Sequence, residues 1–203
     1  DLLDKYNFSS KNICLELTER CKNIPTALLC EDLTFFREHG IRIAIDDYGI
    51  GSSSSSMVVN LPVDEIKIDM SFVRGILENE KKFPDTTQVV FCDTNTPKTD
   101  GSFSVYNSLR DKLAESGRFT KEQVAFIHEY DSDLKRNKLF AAVNKGEIKV
   151  VMGSTSKLGT GVNIQTMLKT AHHLDAPYRP ADLEQRNGRI VRQGNLNDEV
   201  KIY

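Results

Sequence analysis

The stretch Ile41-Arg42-Ile43-Ala44-Ile45-Asp46-Asp47 joins a short apolar run to two adjacent carboxylates. The run predicts a β-strand, as do the apolar runs at residues 13–17 and 65–69. Residues 25–39 carry apolar side chains at helical spacing and are followed by Gly40, which predicts a helix with a glycine stop. A strand, a helix and a strand at this spacing form a βαβ unit with parallel strands. The first part of the chain is therefore expected to be α/β.

Five charged residues of this part lie within or at the C-terminal ends of the predicted strands: Glu16, Asp46, Asp47, Lys67 and Asp69. In parallel α/β folds that edge of the sheet is where ligands bind. Adjacent carboxylates repel each other in a partly desolvated site, so a cation is one reason to place them together. Lys67 would then orient a water or neutralise phosphate charge. The alternative is that the paired aspartates belong to a solvated strand-to-loop turn.

Three stretches of this part, Leu15–Glu19, Asp46–Ser53 and Leu61–Asp69, resemble successive motifs of the EAL domain, the cyclic-di-GMP phosphodiesterase barrel. The resemblance covers about residues 1–80. It implies a partial (β/α) barrel segment of about three βα units. Tyr48 replaces the more usual phenylalanine of the family.

By that likeness Glu16, Asp46 and Asp47 would ligate Mg²⁺ or Mn²⁺, Lys67 would contact the catalytic water, and Glu19 would brace the loop after Asp47. Two divalent ions would polarise the phosphodiester and generate hydroxide. The family's Glu-Ala-Leu tripeptide, the metal-binding asparagine after it and the later Glu and Gln positions are missing from the sequence. A site without several of its ligands binds metal poorly, so we expect no phosphodiesterase turnover.

The composition argues against several classes of protein. The 203 residues include 27 Lys+Arg and 29 Asp+Glu, which argues against a generally basic nucleic-acid binder but permits a local patch. No apolar run is long enough to span a membrane, and no signal peptide is recognisable. The four cysteines have no Cys-x-x-Cys spacing. They predict reduced thiols in a cytoplasmic protein.

A change of charge divides the chain. Residues 1–82 carry 10 Lys+Arg and 14 Asp+Glu, net −4, whereas residues 83–203 carry 17 and 15, net +2. A charged stretch closed by Pro84 lies between them, which predicts a boundary there. Beyond it, strands are predicted at residues 88–92, 124–127 and 148–152 with helices at 105–116 and 134–143, a pattern typical of a doubly wound parallel sheet.

Two later stretches carry polar groups suited to phosphate. Residues 153–163 are rich in Gly, Ser and Thr, and such a loop brings backbone N–H groups close to an anion. Gln185, Arg189 and Arg192 share one face of a predicted helix, and guanidiniums bind phosphate with a planar fork of donors. The alternative for this helix is a solvated basic surface. His172 and His173 alternate on a strand, so they point to opposite faces and cannot chelate one metal together.

The order of four stretches, residues 89–93, 153–165, 172–180 and 185–194, resembles the motifs of the second RecA-like lobe of superfamily 2 helicases, nearest to the chromatin-remodeller-like helicases of mobile elements. The resemblance implies a RecA-like parallel α/β sheet over residues 83–203. Its implied roles are as follows: Arg189 and Arg192 are arginine fingers for ATP on the first lobe, Gln185 senses nucleotide, and Gly159, Gly161 and Asn163 couple the nucleotide site to the DNA track.

The first lobe of such helicases supplies Walker A and the Asp-Glu pair that holds Mg²⁺, and neither is found in this sequence. We therefore expect a fragment of a DNA helicase or translocase, joined to a partial EAL domain and unable to hydrolyse ATP alone. The alternatives are a metal-dependent cyclic-di-GMP phosphodiesterase remnant and a catalytically silent fold that binds nucleotide, nucleic acid or a partner. Whether the join is natural, engineered or an assembly artefact stays open. The first three strands would expose an unpaired edge, and we expect them to dock on the helicase-like sheet or on another chain.

Overall fold

The computed structural model describes residues 2–18, 26–49, 61–97, 103–159, 161–177 and 179–203. The elements of the first half alternate between helix and strand: α1 Leu2–Lys5, β1 Cys14–Leu17, α2 Thr26–Glu38, β2 Arg42–Tyr48, β3 Glu65–Ile68 and α3 Met70–Lys82. Gly40 has a φ of 81°, as a glycine that ends a helix requires.

The first sheet has the strand order β1-β2-β3, and both pairs are parallel. Leu15 pairs with Ile43, and Ile45 pairs with Ile66. β2 continues to Tyr48, so the paired aspartates lie inside the strand rather than in a loop after it. The register slips between Ile45 and Tyr48, and Asp47 within that slip has a φ of 53°. This irregularity turns the end of β2 away from ideal pairing.

The second half also alternates: β4 Thr87–Phe91, α4 Val105–Glu115, β5 Val124–Phe126, α5 Asp133–Asn144, β6 Val150–Gly153, α6 Thr155–Leu158, β7 Leu168–His173, α7 Pro180–Ile190 and β8 Lys201–Ile202. The sheet order is β5-β6-β4-β7-β8, and every pair is parallel. The predicted α/β class, a partial barrel segment followed by a RecA-like parallel sheet, is confirmed.

Local signals explain where the longer helices begin. Asp69 caps α3 by accepting from the Ser71 amide at 2.5 Å, and Ser104 caps α4 by accepting from the Tyr106 amide at 3.2 Å. Ser132 caps α5 through the Lys135 amide at 3.3 Å. Each cap satisfies a backbone donor that the first turn leaves without a partner. α7 instead has a proline at its first position.

One hydrophobic core joins the two halves. It contains Ile45, Ile66 and Ile68 from the first sheet together with Val90 and Leu109 from the second half. The opposite face of the second sheet has its own cluster under α5, α6 and α7, and α2 covers a third, smaller cluster against β2. The first sheet therefore docks on the helicase-like half of the same chain, which is one of the two arrangements expected from its open edge.

None of the helices in the described part of the chain is long and apolar enough to cross a membrane. The boundary predicted near residues 82–83 would fall between α3 and β4, and it stays a prediction. α3 itself lies in the shared core through Val73 and Ile76.

Candidate functional site

The carboxyl ends of three neighbouring strands bring polar residues together around one arginine. Asp93 follows β4, Thr155 follows β6, and Asp175 follows β7. Arg186, on the second turn of α7, is fully buried among them. A buried charge is stable only when it is paired and hydrogen-bonded, so the contacts of Arg186 determine how α7 sits on the sheet.

Every donor of the Arg186 guanidinium has an acceptor. Nε donates to Thr155 Oγ1 at 2.7 Å. Nη1 donates to the Asp175 carbonyl at 2.7 Å and lies 3.3 Å from His173 Nδ1. Nη2 donates to Asp93 Oδ2 at 2.7 Å and to Asp175 Oδ1 at 2.9 Å. Because an arginine has five N–H donors, this set saturates the side chain.

The two carboxylates are held by further donors. Asp175 Oδ2 accepts from the amides of Asp93 and Thr94 at 2.6 and 2.9 Å and from the Thr94 hydroxyl at 3.0 Å. Asp93 accepts from the amide and the hydroxyl of Thr155 at 2.6 and 2.7 Å. Burial raises the pKa of Asp93, but the hydrogen bonds from Thr155 and the charge of Arg186 outweigh burial and leave the pKa below its usual value. Asp93 is therefore ionised at neutral pH.

His173 completes the network as a neutral ring. Since the Arg186 guanidinium only donates, His173 Nδ1 is the acceptor, and Nε2 then donates to Asn187 Oδ1 at 2.9 Å. Burial lowers the pKa of His173, and the charge of Arg186 lowers it further against the opposing effect of the Asn187 hydrogen bond. His172 faces the other side of the sheet and contacts Gln88 Oε1 through Nε2 at 2.8 Å. The two histidines thus point apart, as the strand pattern predicted.

Arg189 and Arg192 converge on the loop after α6. Arg189 donates to the carbonyls of Gly159, at 3.0 Å through Nε, and Val162, at 3.3 Å. Arg192 donates to the same Val162 carbonyl at 3.1 Å. Burial lowers the pKa of Arg189, and the nearby charge of Arg192 lowers it further. The expectation of one helical face needs a correction, because α7 ends at Ile190 and Arg192 reaches this loop from beyond the helix.

The other residues expected at this site surround the same loop. A Cβ on Gly159 would lie 2.1 Å from the Thr155 carbonyl oxygen and 3.3 Å from Gln185 Cδ, so only glycine fits there. Gly161 has a φ of 65° with open space around it. Asn163 contributes its backbone carbonyl, which accepts from Asn144 Nδ2 at 2.8 Å. Gln185 and Gly159 are therefore neighbours, and Asn163 stands at the far end of the loop.

On the first sheet, Lys67 of β3 and Glu16 of β1 form an ion pair across β2. The hydrogen bond and charge of Lys67 lower the pKa of Glu16, and Asp46 adds a smaller effect in the same direction. The hydrogen bond that Lys67 donates to Glu16 in turn raises the pKa of Lys67. Asp47 is exposed on the same strand as Asp46. Glu19 lies outside the described residues.

The Lys67 ammonium provides the positive charge at the Glu16 carboxylate. Within the described residues no group of three His, Cys, Asp or Glu side chains is placed to hold a metal ion. The metal-ligand roles of Glu16, Asp46 and Asp47 and the water-contacting role of Lys67 stay predictions.

Comparison with known families agrees with the two sheets. The sequence model of the family described as "Helicase conserved C-terminal domain" matches residues 70–194. The chain belongs to this family. The model of the EAL domain matches residues 1–90, so the chain is a two-part fusion. The two matches overlap over residues 70–90, which contain α3 and most of β4.

Two relatives match parts of the chain. Cyclic di-GMP phosphodiesterase PdeA of Borreliella burgdorferi is 34% identical over 116 residues, which are 57% of this chain and 17% of that protein. An uncharacterized protein of Mycobacterium tuberculosis is 37% identical over 81 residues, 39% of this chain and 13% of that protein. The chain thus spans less than a fifth of the length of these relatives.

Two solved structures align with large shares of the chain. Saccharomyces cerevisiae Dbp5 bound to RNA and ADP BeF3 aligns with a TM-score of 0.48 at 15% identity, over 94% of this chain and 63% of that chain. The EAL domain of Mycobacterium smegmatis DcpA aligns with a TM-score of 0.37 at 23% identity, over 73% of this chain and 54% of that chain. At these TM-scores neither likeness bears on function.

One central residue of this site, Arg186, was not predicted from the sequence. It joins the residues that follow β4, β6 and β7. Arg186 lies within the motif at residues 185–194, but roles were predicted for Arg189 and Arg192 and not for Arg186. One signal was available: Arg186 is four residues before Ile190, and both are buried on the face of α7 that meets the sheet. Asp93 and Asp175 each follow a predicted strand. Their carboxylates therefore lie at the same edge of the sheet, where they can neutralise a buried arginine.

Proposed function

We propose that the chain is the arginine-bearing second lobe of a superfamily 2 DNA helicase or translocase, carried together with a partial EAL domain. In this proposal Arg189 and Arg192 face ATP held by a first lobe, and they stabilise charge that develops on the γ-phosphate. The chain does not hydrolyse ATP by itself, because Walker A and the Mg²⁺-holding acids belong to that other lobe.

The observation that carries the proposal is the pair of guanidiniums gathered on one loop. Within the described residues the hydrogen-bond acceptors of Arg189 and Arg192 are backbone carbonyls, and neither forms a salt bridge with a carboxylate. Two like charges close to each other, held by neutral acceptors, leave a positive site that favours an anion with several oxygens.

Arg186 supports the same proposal through position. Its saturated contacts fix α7 against the ends of β4, β6 and β7, and Arg189 lies about one turn further along that helix. Side chains that act on a developing charge must be held in place before the reaction. A helix anchored by a buried, fully paired arginine meets that requirement.

A groove beside this loop is the candidate for the DNA track. It has a volume of about 380 Å³, and the basic residues Arg136 and Lys157 line it next to Gly161 and Val162. Lysine and arginine bind the phosphate backbone without reading sequence. The groove and the arginine pair therefore meet at the same loop.

Titration with inorganic triphosphate tests the arginine pair directly. Charge-assisted hydrogen bonds contribute enough that Arg189→Gln or Arg192→Gln should weaken binding about tenfold. The matched control is Arg118→Gln, an exposed arginine that precedes β5 at the opposite edge of the sheet and should bind like wild type. Equal affinity in all four proteins would contradict the proposed role. Steady-state ATP hydrolysis by the pure chain would contradict the dependence on another lobe.

The second candidate function is a cyclic-di-GMP phosphodiesterase remnant. It is supported by the carboxylates of Glu16 and Asp46 beside Lys67 on the first sheet, and by the name of the PdeA relative. Mn²⁺-dependent cleavage of cyclic-di-GMP that disappears in Asp46→Ala would favour it. If neither triphosphate binding nor cleavage is measured in a folded sample, a silent binding fold remains.

A further inference from the structure

The end of β2 in the EAL-like half meets the end of β7 in the helicase-like half. Tyr48, the last residue of β2, is fully buried and belongs to the same core as Cys92, Tyr106 and Leu174. Leu174 directly follows β7 and is 2% exposed. The contact between the halves is therefore made at the edge of the sheet that carries the Arg186 network.

Gly49 shows how close this contact is. A Cβ added to Gly49 would lie 2.7 Å from Leu174 Cδ1, closer than real Cβ atoms approach another heavy atom. Its φ of 100° is also a conformation that other residues rarely adopt. The chain turns at this position directly against the leucine, with no space for a side chain between them.

Leu174 is one peptide bond from the anchor of the network. Its amide donates to the Phe91 carbonyl at 3.0 Å, which ties β7 to the end of β4. The next residue, Asp175, accepts from Arg186 through both its carboxylate and its carbonyl. Close-packed side chains transmit displacement, so a movement of Leu174 changes the position of the Asp175 acceptors.

We propose that the Tyr48-Gly49 turn is a positioning clamp for the arginine helix α7. The turn packs against Leu174, and this contact sets the position of the next residue, Asp175. Asp175 in turn binds Arg186 and so positions α7. The EAL-like segment is in this way part of the support of the helicase-like site rather than an appendage. The effect of this clamp on nucleotide binding rests on the proposed function, whereas the contacts from Gly49 to Arg186 do not.

The test compares two glycines of similar backbone conformation. Gly49→Ala introduces both backbone strain and the clash with Leu174, whereas Gly117→Ala introduces strain alone, because Gly117 has a φ of 71° and open space around it. The readout is the Nε–H resonance of Arg186 in ¹H–¹⁵N spectra of the full chain. In Gly49→Ala we expect this resonance to shift and its hydrogen exchange to accelerate about tenfold, as for a disturbed charged hydrogen bond. In Gly117→Ala we expect no change.

Leu174→Val keeps the proposal testable if Gly49→Ala does not fold. The shorter side chain withdraws the atom that the turn contacts, so Arg186 Nε–H exchange should again accelerate. Combining Leu174→Val with Gly49→Ala should restore the wild-type resonance, because the new methyl group fills the space that the leucine vacates. The proposal is overturned if Arg186 keeps its wild-type exchange rate in Leu174→Val. It is also overturned if Gly117→Ala disturbs Arg186 as much as Gly49→Ala does. Because triphosphate is not part of this measurement, its outcome is independent of the test of the arginine pair.

Discussion

Replacing Arg186 by methionine tests whether the buried network holds the helicase-like half together. Methionine fills a similar volume without charge, so the change removes the five donors and leaves the packing largely in place. The Asp175 side chain, which is 0% exposed, then loses its countercharge, and Thr155 and Asp93 lose a partner each.

The magnitude follows from the burial of the pair. Removing one member of a buried ion pair costs about 3–5 kcal/mol, because the remaining charge stays desolvated without compensation. A domain has about 5–15 kcal/mol of stability in total, so this one change removes a large fraction of it. With a urea dependence of about 2 kcal/mol per molar, the unfolding midpoint should fall by about 2 M.

The assay is urea unfolding followed by circular dichroism, with Arg179→Met as the matched control. Arg179 also forms an ion pair with an aspartate, Asp182 at 2.9 Å, but its side chain is 72% exposed. Exposed pairs contribute little, so the control midpoint should stay near that of wild type. A loss below about 1 kcal/mol in Arg186→Met would refute the claim that the saturated guanidinium anchors α7.

Three further predictions concern the shared core. Burial lowers the pKa of His172 to about 3, so its neutral form stabilises the fold above about pH 6.5. This contribution is lost as pH falls towards 3. Between pH 7.5 and 5.0 wild type should therefore lose about 2 kcal/mol more unfolding free energy than His172→Gln, measured with urea at both pH values. Tyr48→Phe should not lower the unfolding free energy, because the buried hydroxyl lies near Thr94 but forms no hydrogen bond of ordinary geometry with the described residues. Isolated residues 1–82 should show no cooperative thermal transition by calorimetry, because Ile45, Ile66 and Ile68 would lose the second half of their core.

Each of these has a result that would contradict it. Equal pH dependence in wild type and His172→Gln would mean that His172 does not remain neutral in the folded chain. A loss of stability in Tyr48→Phe would mean that the hydroxyl has a partner. A sharp, reversible transition of a monomeric 1–82 peptide would mean that the first sheet does not depend on docking.

Most of the strand and helix order of both halves was predictable from sequence because it rests on local patterns, although the helix α3 and the strand β8 were not predicted. Short apolar runs such as residues 41–45 end at polar or glycine positions, and alternation of strand with helix permits little other than parallel sheets. The motif residues Gly159, Gln185 and Arg189 were singled out in the same way, since their identity and order are readable along the chain, and their roles stay predictions. Even the open edge of the first three strands indicated that this segment would need to dock.

The sequence by itself determined which elements form and which families they resemble, because propensity, periodicity and motif order depend on neighbours in the chain. Only the tertiary structure decided that Arg186 is buried between Asp93 and Asp175, which are 93 and 11 residues away from it. Only the tertiary structure placed Lys67 on Glu16 and the turn at Gly49 against Leu174. The reason is physical: a buried charge chooses its partners from whatever the packed sheet brings within about 3 Å, and distance along the sequence does not enter that choice.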